Sequence, residues 1–266
     1  MKAIILAAGH GTRMLPITKT IPKELLPVGT KPVIHYIVEG LSQAGIKDML
    51  IVTSQSKKAL EDYFDKNFEL EHLLETKGKH KYLKAINEPK SLGNFTFVKQ
   101  SEQKGTGHAI MQAAPWINDD FVMVVYGDTI YHPKIYKEMV ELHKEFGKGI
   151  MCLKEVPEED VSKYGIARLE DGYFIDVIEK PTKEEAPSNM AVFTPYIVPG
   201  RFLELLMGTE PDAKSGEIYP WPALKQIMAN KEMLGYVTEH SIRDTGNPES
   251  WLKANMEIGR DPDLLT

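Results

Sequence analysis

One cysteine, Cys152, stands in 266 residues, which excludes an intramolecular disulfide and any metal site built on several thiolates. It lies in the run GIMCLKEV, which reads as a buried strand, so the thiol reads as an inert packing group. Long apolar runs are missing too, and none approaches the length of a membrane span. No secretory leader is expected, since Lys2 precedes a short apolar run that breaks at Gly9-His10-Gly11. These absences predict a cytoplasmic protein. Excess cation is lacking, the formal net charge being -6, and that argues against a nucleic-acid partner, which needs clustered lysine and arginine. Any phosphate ligand must then be held by a local site. No histidine spacing suggests a metal site, and the P-loop pattern G-x-x-x-x-G-K-[ST] occurs nowhere in the chain.

What is present is an ordinary soluble composition, 42% hydrophobic and 26% charged, on a chain long enough for one large domain or two small ones. Such a globule buries roughly 70–75% of its unfolded surface and needs no covalent staples. Strand and helix signals alternate through the first half. KAIILAA and DMLIVTS are short continuous apolar runs, as buried parallel strands should be. KPVIHYIVEGLSQAG has helical spacing, with Val33, Ile37 and Leu41 on one face and Gly45 placed to close it.

From Lys57 to about Asn87 the pattern is helical and polar-rich, interrupted by KGKHK, which reads as a solvated helix end or turn. NFTFVKQ predicts a strand, GHAIMQAAPWI a helix, and DFVMVVYGD a buried strand ending in Asp128. PKIYKEMVELHKEFG is an amphipathic helix opened by Pro133 and closed by Gly147. Beyond it strands crowd together: GIMCLKEV, YGIARLE, YFIDVIEKP, MAVFTPYIV and MLGYVTE. Helices are expected around Phe202–Met207, around Ile218–Asn230, and from Asn247 onward with an N-cap. This alternation predicts an α/β fold, an open and mostly parallel (mixed) sheet flanked by helices, with extra strands in the second half. With no repeat or linker in sight, a single domain over 1–266 is expected.

The stretch AAGHGTRMLPITKTIPKELLPV follows the first strand. A dinucleotide fingerprint would need a third glycine where Met14 stands, and an acid after the second strand where Thr53-Ser54-Gln55 stands. A pocket for a free nucleoside triphosphate fits better. Gly9 and Gly11 let backbone N–H groups approach phosphate oxygens. Arg13 offers a planar fork and Lys23 a point charge to a polyphosphate tail.

LAAGHGTRMLP followed by IPKELLPV, GDT after a buried strand, EKP after a later one and SNMAV beyond it together resemble the sugar-1-phosphate nucleotidylyltransferases. TKTIPKELLPV, YFDKNFELEHLLE and KGTGHAI look most like the bacterial UTP–glucose-1-phosphate uridylyltransferase branch. The resemblance runs in order from Lys2 to about Val198, with a second anchor at Asp244. It implies a Rossmann-like fold of the nucleotide-diphospho-sugar transferase type, with a nucleotide-binding half over 1–130 and a sugar-phosphate-binding half over 131–266. It implies transfer of a uridylyl group from UTP to glucose 1-phosphate, with pyrophosphate leaving. Two polyanions must meet in that reaction, so charge neutralisation and alignment are the main tasks.

By the same resemblance Asp128 and Asp244 would hold Mg²⁺, for which hard oxygen ligands are suited. Arg13, Lys23 and Lys180 would be the catalytic cations, Lys180 facing the sugar phosphate. Ala8, Gly9, Gly11, Thr12, Glu24, Gln100 and Gly105 would bind the nucleotide, Gln100 reading the base together with the Gly105 backbone and Glu24 assisting there. Gly165, Glu179, Lys180, Asn189 and Val192 would bind the sugar phosphate, and His108 packs or caps the helix after Gly107. A homo-oligomer is an expectation from analogy alone.

One departure stands out. Relatives of this kind commonly carry GDEIQLTDAI, where this chain has SGEIYPWPALKQI. Glu217 and Ile218 survive, but Trp221-Pro222 replaces the Thr-Asp pair. That leaves open which sugar is activated. The alternatives are dTTP or CTP as donor, another sugar 1-phosphate as acceptor, or a non-catalytic paralogue that binds a nucleotide sugar.

Overall fold

The computed structural model describes residues 1–259. In chain order the elements of its first half are β1 (Lys2–Leu6), β2 (Pro27–Val28), β3 (Lys31–Pro32), α1 (Val33–Gln43), β4 (Asp48–Thr53), α2 (Lys58–Phe64), α3 (Phe68–Thr76), α4 (His80–Ser91), β5 (Asn94–Lys99), α5 (Gly105–Ala113) and β6 (Phe121–Tyr126). There follow β7 (Thr129–Tyr131), α6 (Pro133–Phe146), β8 (Gly149–Glu155), β9 (Gly165–Glu170), β10 (Tyr173–Glu179), β11 (Met190–Pro199), α7 (Arg201–Met207), α8 (Trp221–Ala229), β12 (Met233–Val237), β13 (Ile242–Asp244) and α9 (Pro248–Ile258).

Nine strands form one sheet in the order β5-β4-β1-β6-β11-β8-β12-β10-β9. The first four run parallel, joined by helical crossovers. β11 pairs antiparallel with both β6 and β8, and β9, β10 and β12 continue as a mixed edge in which only β8–β12 is parallel. The expected α/β sheet with added strands is what the chain folds into.

Period-two alternation divides the core between the two faces of the sheet. Ala3, Ile5, Met49, Ile51, Met123 and Val125 face α1, α2, α6 and α9. Ile4, Leu50, Val52, Val122 and Val124 face α5, α7 and α8. Because both faces are covered, the central strands read as continuous apolar runs rather than alternating ones. Among the described residues no helix is long and apolar enough to cross a membrane.

Cys152 lies in this core at 0% exposure, and burial pushes its thiol up to about 12. The native protein is therefore expected to resist a thiol-specific reagent at pH 8 and to react only after denaturation. Stoichiometric labelling of native protein would contradict that placement.

Some local expectations shift. The polar helical run after Lys57 is three helices, and the first three residues of KGKHK are the turn between α3 and α4, with Gly78 at φ +63°, while His80 and Lys81 open α4. The helix expected from Ile218 begins at Trp221. Ile218 is held by backbone bonds instead, and Pro222 fits a helix only in its first turn. β2, β3, β7 and β13 are strands of two or three residues, too short to leave a pattern in the sequence.

Candidate active site

Leu6 at the end of β1 is level with Val52 of β4 and Tyr126 of β6, so three carboxyl ends share one edge. β1 is flanked by β4 and β6, and the winding reverses between them. Open α/β sheets bind ligands in the crevice at such a reversal. The chain leaving β1 passes Ala8 and Gly9 and enters short 3₁₀ turns at Thr12–Met14, Ile17–Lys19 and Lys23–Leu25. Gly11 has φ +66°, and a Cβ there would press on Thr18 at 3.2 Å, so glycine answers both a backbone and a space requirement. Thr12 and Arg13 are exposed at the start of this loop.

The loop returns Lys23 to the strand edge, where its Nζ pairs with Asp128 Oδ2 at 2.5 Å. Asp128 follows β6 and Asp244 ends β13. β7 and β13 pair antiparallel with Asp244 level with Thr129, so a two-stranded ribbon carries both acids. Thr245 fastens them by donating its N–H (2.9 Å) and its hydroxyl (2.7 Å) to the Asp128 carbonyl.

Gly246 lies at their junction. A Cβ there would sit 3.0 Å from Asp244 Oδ1, 3.1 Å from Asp128 Oδ2 and 3.4 Å from Arg13 Nη2. Arg13, Lys23, Asp128 and Asp244, far apart in sequence, thus converge on one point. Two carboxylates this close, with no Cβ between them, fit a small divalent cation that takes oxygen ligands.

Glu24 departs from expectation. It is 0% exposed and both its oxygens accept from Lys57 Nζ at 2.8 Å. Lys57 also donates to the Ala7 carbonyl at 2.7 Å. Burial raises the Glu24 carboxyl and lowers the Lys57 ammonium from their ordinary values, and each partner opposes the other's shift. Glu24 therefore lies beneath the glycine loop, joined to it through Lys57, and does not line the cavity beside it. Lys57 escaped the sequence reading; its only signal is its position just past the carboxyl end of β4.

A cavity of about 250 Å³ opens beside the cluster, lined by Ala8, Gly9, Lys23, Gln100, Gly105 and Asp128 among others. Gln103, Thr106, Tyr126 and Glu217 also line it, and none of these was anticipated. Gln100 and Gly105 prove to be joined to each other. The Gln100 amide nitrogen donates to the Gly105 carbonyl (3.1 Å) and lies 3.0 Å from His108 Nδ1, so the Gly105 carbonyl is occupied. His108 accordingly packs beside Gln100.

Gly105 has φ +91°, and a Cβ on it would meet the Ile218 carbonyl at 2.7 Å. Ile218 is tied to the Lys104 carbonyl and the Gly107 N–H, each at 2.8 Å. Gly105→Ala should displace this strap, raising KM for the nucleotide by about tenfold or more and lowering the melting temperature. An unaltered nucleotide KM would show that the strap does not shape the cavity.

A second cavity, of about 280 Å³, is lined by Gly165, Glu179 and Val192 among others, and Tyr126 lines both cavities. A Cβ on Gly165 would lie 2.9 Å from Glu179 Oε2, so glycine lets that carboxylate lie against the backbone. Burial pushes the Tyr126 phenol up to about 12 against a hydrogen bond with Thr106, which keeps it a proton donor. Two expected sugar-phosphate residues lie elsewhere. Asn189 gives its amide to Glu155 Oε1 (2.9 Å) and does not line the cavity. Lys180 is exposed beside Glu179, at φ +47° with its N–H on the Tyr164 carbonyl (2.9 Å), and lines neither cavity.

The chain matches the nucleotidyl transferase family over residues 2–261. A UTP–glucose-1-phosphate uridylyltransferase of Staphylococcus epidermidis is 38% identical over 272 residues, covering 99% of this chain and 94% of that protein. Among solved structures, a UDP-glucose pyrophosphorylase complexed with UDP-glucose is 37% identical with a TM-score of 0.85, covering 97% of this chain and 98% of the other. The UTP-bound UGPase of Acinetobacter baumannii is 30% identical with a TM-score of 0.91, covering 99% and 95%.

Proposed function

The chain belongs to the nucleotidyl transferase family, and from that premise we propose that it transfers a uridylyl group from UTP to glucose 1-phosphate, giving UDP-glucose and pyrophosphate. The observation that carries this reading is the meeting of Arg13, Lys23, Asp128 and Asp244 around Gly246, beside a cavity lined by Lys23 and Asp128 that shares Tyr126 with a second one bordered by Glu179. An oxygen of the sugar phosphate attacks the α-phosphorus, the bond to the bridging oxygen breaks, and that oxygen leaves with the β- and γ-phosphates. No covalent enzyme intermediate is needed, so the residues act by holding charge and line.

Gly9 and Gly11 let main-chain N–H groups close on the leaving polyphosphate, and Arg13 takes its oxygens with a planar fork. Lys23 is held at the strand edge by Asp128, and its ammonium is within reach of the same tail. Asp128 and Asp244 would hold Mg²⁺, which when bound neutralises charge on the phosphates. Glu179, packed on Gly165, accepts hydrogen bonds from sugar hydroxyls. Lys180, exposed beside Glu179 and outside the lining of either cavity, would have to turn inward to meet the sugar phosphate.

The preference for UTP over CTP follows from Gln100, whereas thymine shares the N3–H of uracil and is separated by the likeness to the uridylyltransferases alone. The Gln100 amide nitrogen donates to the Gly105 carbonyl and lies beside His108 Nδ1, which leaves its carbonyl oxygen as the group to offer a ligand. An acceptor there suits the N3–H of uracil, whereas N3 of cytosine is itself an acceptor. The test is kcat/KM for UTP, dTTP and CTP with glucose 1-phosphate, followed by pyrophosphate release. UTP should lead; a lead for dTTP or CTP would overturn the uridylyl assignment and leave the transfer chemistry standing.

A further inference from the structure

Away from the crevice, a buried histidine has half its hydrogen-bonding capacity unmet. His35, on α1, is 3% exposed, and its Nε2 has no hydrogen-bond partner among the described residues. The other ring nitrogen is accounted for, since Nδ1 lies 2.9 Å from the Tyr63 hydroxyl. A buried imidazole nitrogen left alone is costly, whether it carries a proton or a lone pair.

Two carboxylates share its surroundings. Glu39 follows four residues later on the same helix, so the helical repeat sets it on the His35 face. Glu88 comes from α4 and is exposed. One ligand atom from each of His35, Glu39 and Glu88 lies within 4.8 Å of the other two, the one such group of three among the described residues. With Nδ1 turned to Tyr63, Nε2 is the nitrogen left to serve this group.

The local charge agrees. Lys31 Nζ reaches both oxygens of Glu39, at 3.1 and 3.0 Å, while Glu88 forms no ion pair among the described residues. A carboxylate has about four lone-pair sites, so the lysine leaves Glu39 with oxygen to offer. Burial, and then Lys31, lower the His35 imidazole from its ordinary value, which keeps it in the neutral form that binds metal.

We propose that His35 Nε2, Glu39 and Glu88 bind a divalent transition-metal ion, Zn²⁺ by preference, which ties α4 to α1. One imidazole and two carboxylates are a donor set that Zn²⁺ accepts, whereas Mg²⁺ takes oxygen ligands. Zinc bonds of about 2 Å require the group to tighten, and Glu88, exposed on its helix, is the member with room to move. With Nε2 on the metal, Nδ1–H donates to Tyr63, the outer partner that a metal-bound histidine needs. α4 otherwise packs on α2 and α3, so the ion adds a tie that those contacts do not supply. None of the three residues belongs to the Asp128–Asp244 cradle. A single histidine with acids from two helices leaves no histidine spacing to read, which is why the sequence pattern shows no such site.

The test is equilibrium dialysis of the full chain against Zn²⁺ in slight excess over protein, with metal content measured and thermal melts alongside. Asp128→Asn serves as the background and excess Mg²⁺ is present, so that zinc in the crevice does not count. The background protein should retain one Zn²⁺ per chain, and Zn²⁺ at about a hundredfold its Kd should raise the melt by about 5–10 °C. Adding Glu88→Gln, at an exposed position, should leave the zinc-free melt within about 2 °C and weaken zinc binding by about 100-fold or more. His35→Gln should weaken it as much. No zinc retained, or retention and a zinc-dependent melt that both survive Glu88→Gln, would overturn the proposal. If His35→Gln fails to fold, the Glu88→Gln comparison decides alone.

Discussion

Asp128→Asn should lower turnover by about a thousandfold or more while the melting temperature stays within a few degrees of wild type. The carboxylate stands where four charged groups meet, paired with Lys23 and close to Asp244 across Gly246. Asparagine keeps the shape and removes the negative charge, so Lys23 loses its anion and the two-acid cradle loses half its charge. Little folding energy is at stake. The acid sits at the crevice edge, partly open to water, and the ribbon that carries it is fastened through its main chain by Thr245. A loss of turnover with an equally large fall in melting temperature would mean that Asp128 is structural. Normal turnover would mean that the cation site lies elsewhere.

The second large effect is on stability, and it lies one layer below. Glu24→Gln and Lys57→Met should each destabilise the protein by about 3–5 kcal/mol, because each leaves the other member of a buried ion pair without its counter-charge. In a chain of this size that is a fall in melting temperature of about 6–20 °C. Lys57→Met also strips the Ala7 carbonyl of its donor, so the glycine loop above should loosen and KM for the nucleotide should rise. The double variant Glu24→Leu/Lys57→Met should recover much of the stability, since it removes both charges together. Denaturant melts of the three variants decide the matter. Single variants as stable as wild type would show that the pair is not the brace described here.

Much of this was legible in the sequence, and the boundary has physical reasons. Buried parallel strands declare themselves as continuous apolar runs, so KAIILAA, DMLIVTS and DFVMVVYGD marked the sheet and its carboxyl edge. The loop holding Gly9, Gly11, Arg13 and Lys23 stood out because two glycines and several cations gather directly after a strand. What escaped was long-range. β7 and β13 are three residues each and have no periodicity, yet their pairing is what brings Asp244 to Asp128.

Lys57 is a lone lysine in sequence and becomes half of a buried pair only when β4 lies beside β1. Glu24 followed a lysine in a polar loop and read as a ligand contact for the same reason. The departure at Trp221-Pro222 was visible, but its meaning was not. Only the fold shows that the clamp on Ile218 turns this segment into a wall shared by two cavities.

The central claim is that the Asp128–Asp244 cluster joins UTP to a sugar phosphate with the help of a divalent cation. The most direct measurement is pyrophosphate release from UTP, with and without glucose 1-phosphate, in Mg²⁺, in EDTA, and in EDTA followed by excess Mg²⁺. The account predicts release only when the sugar phosphate is present, one pyrophosphate per UDP-glucose formed, lost in EDTA and restored by Mg²⁺. Release without the sugar phosphate, or release that is indifferent to EDTA, would contradict it.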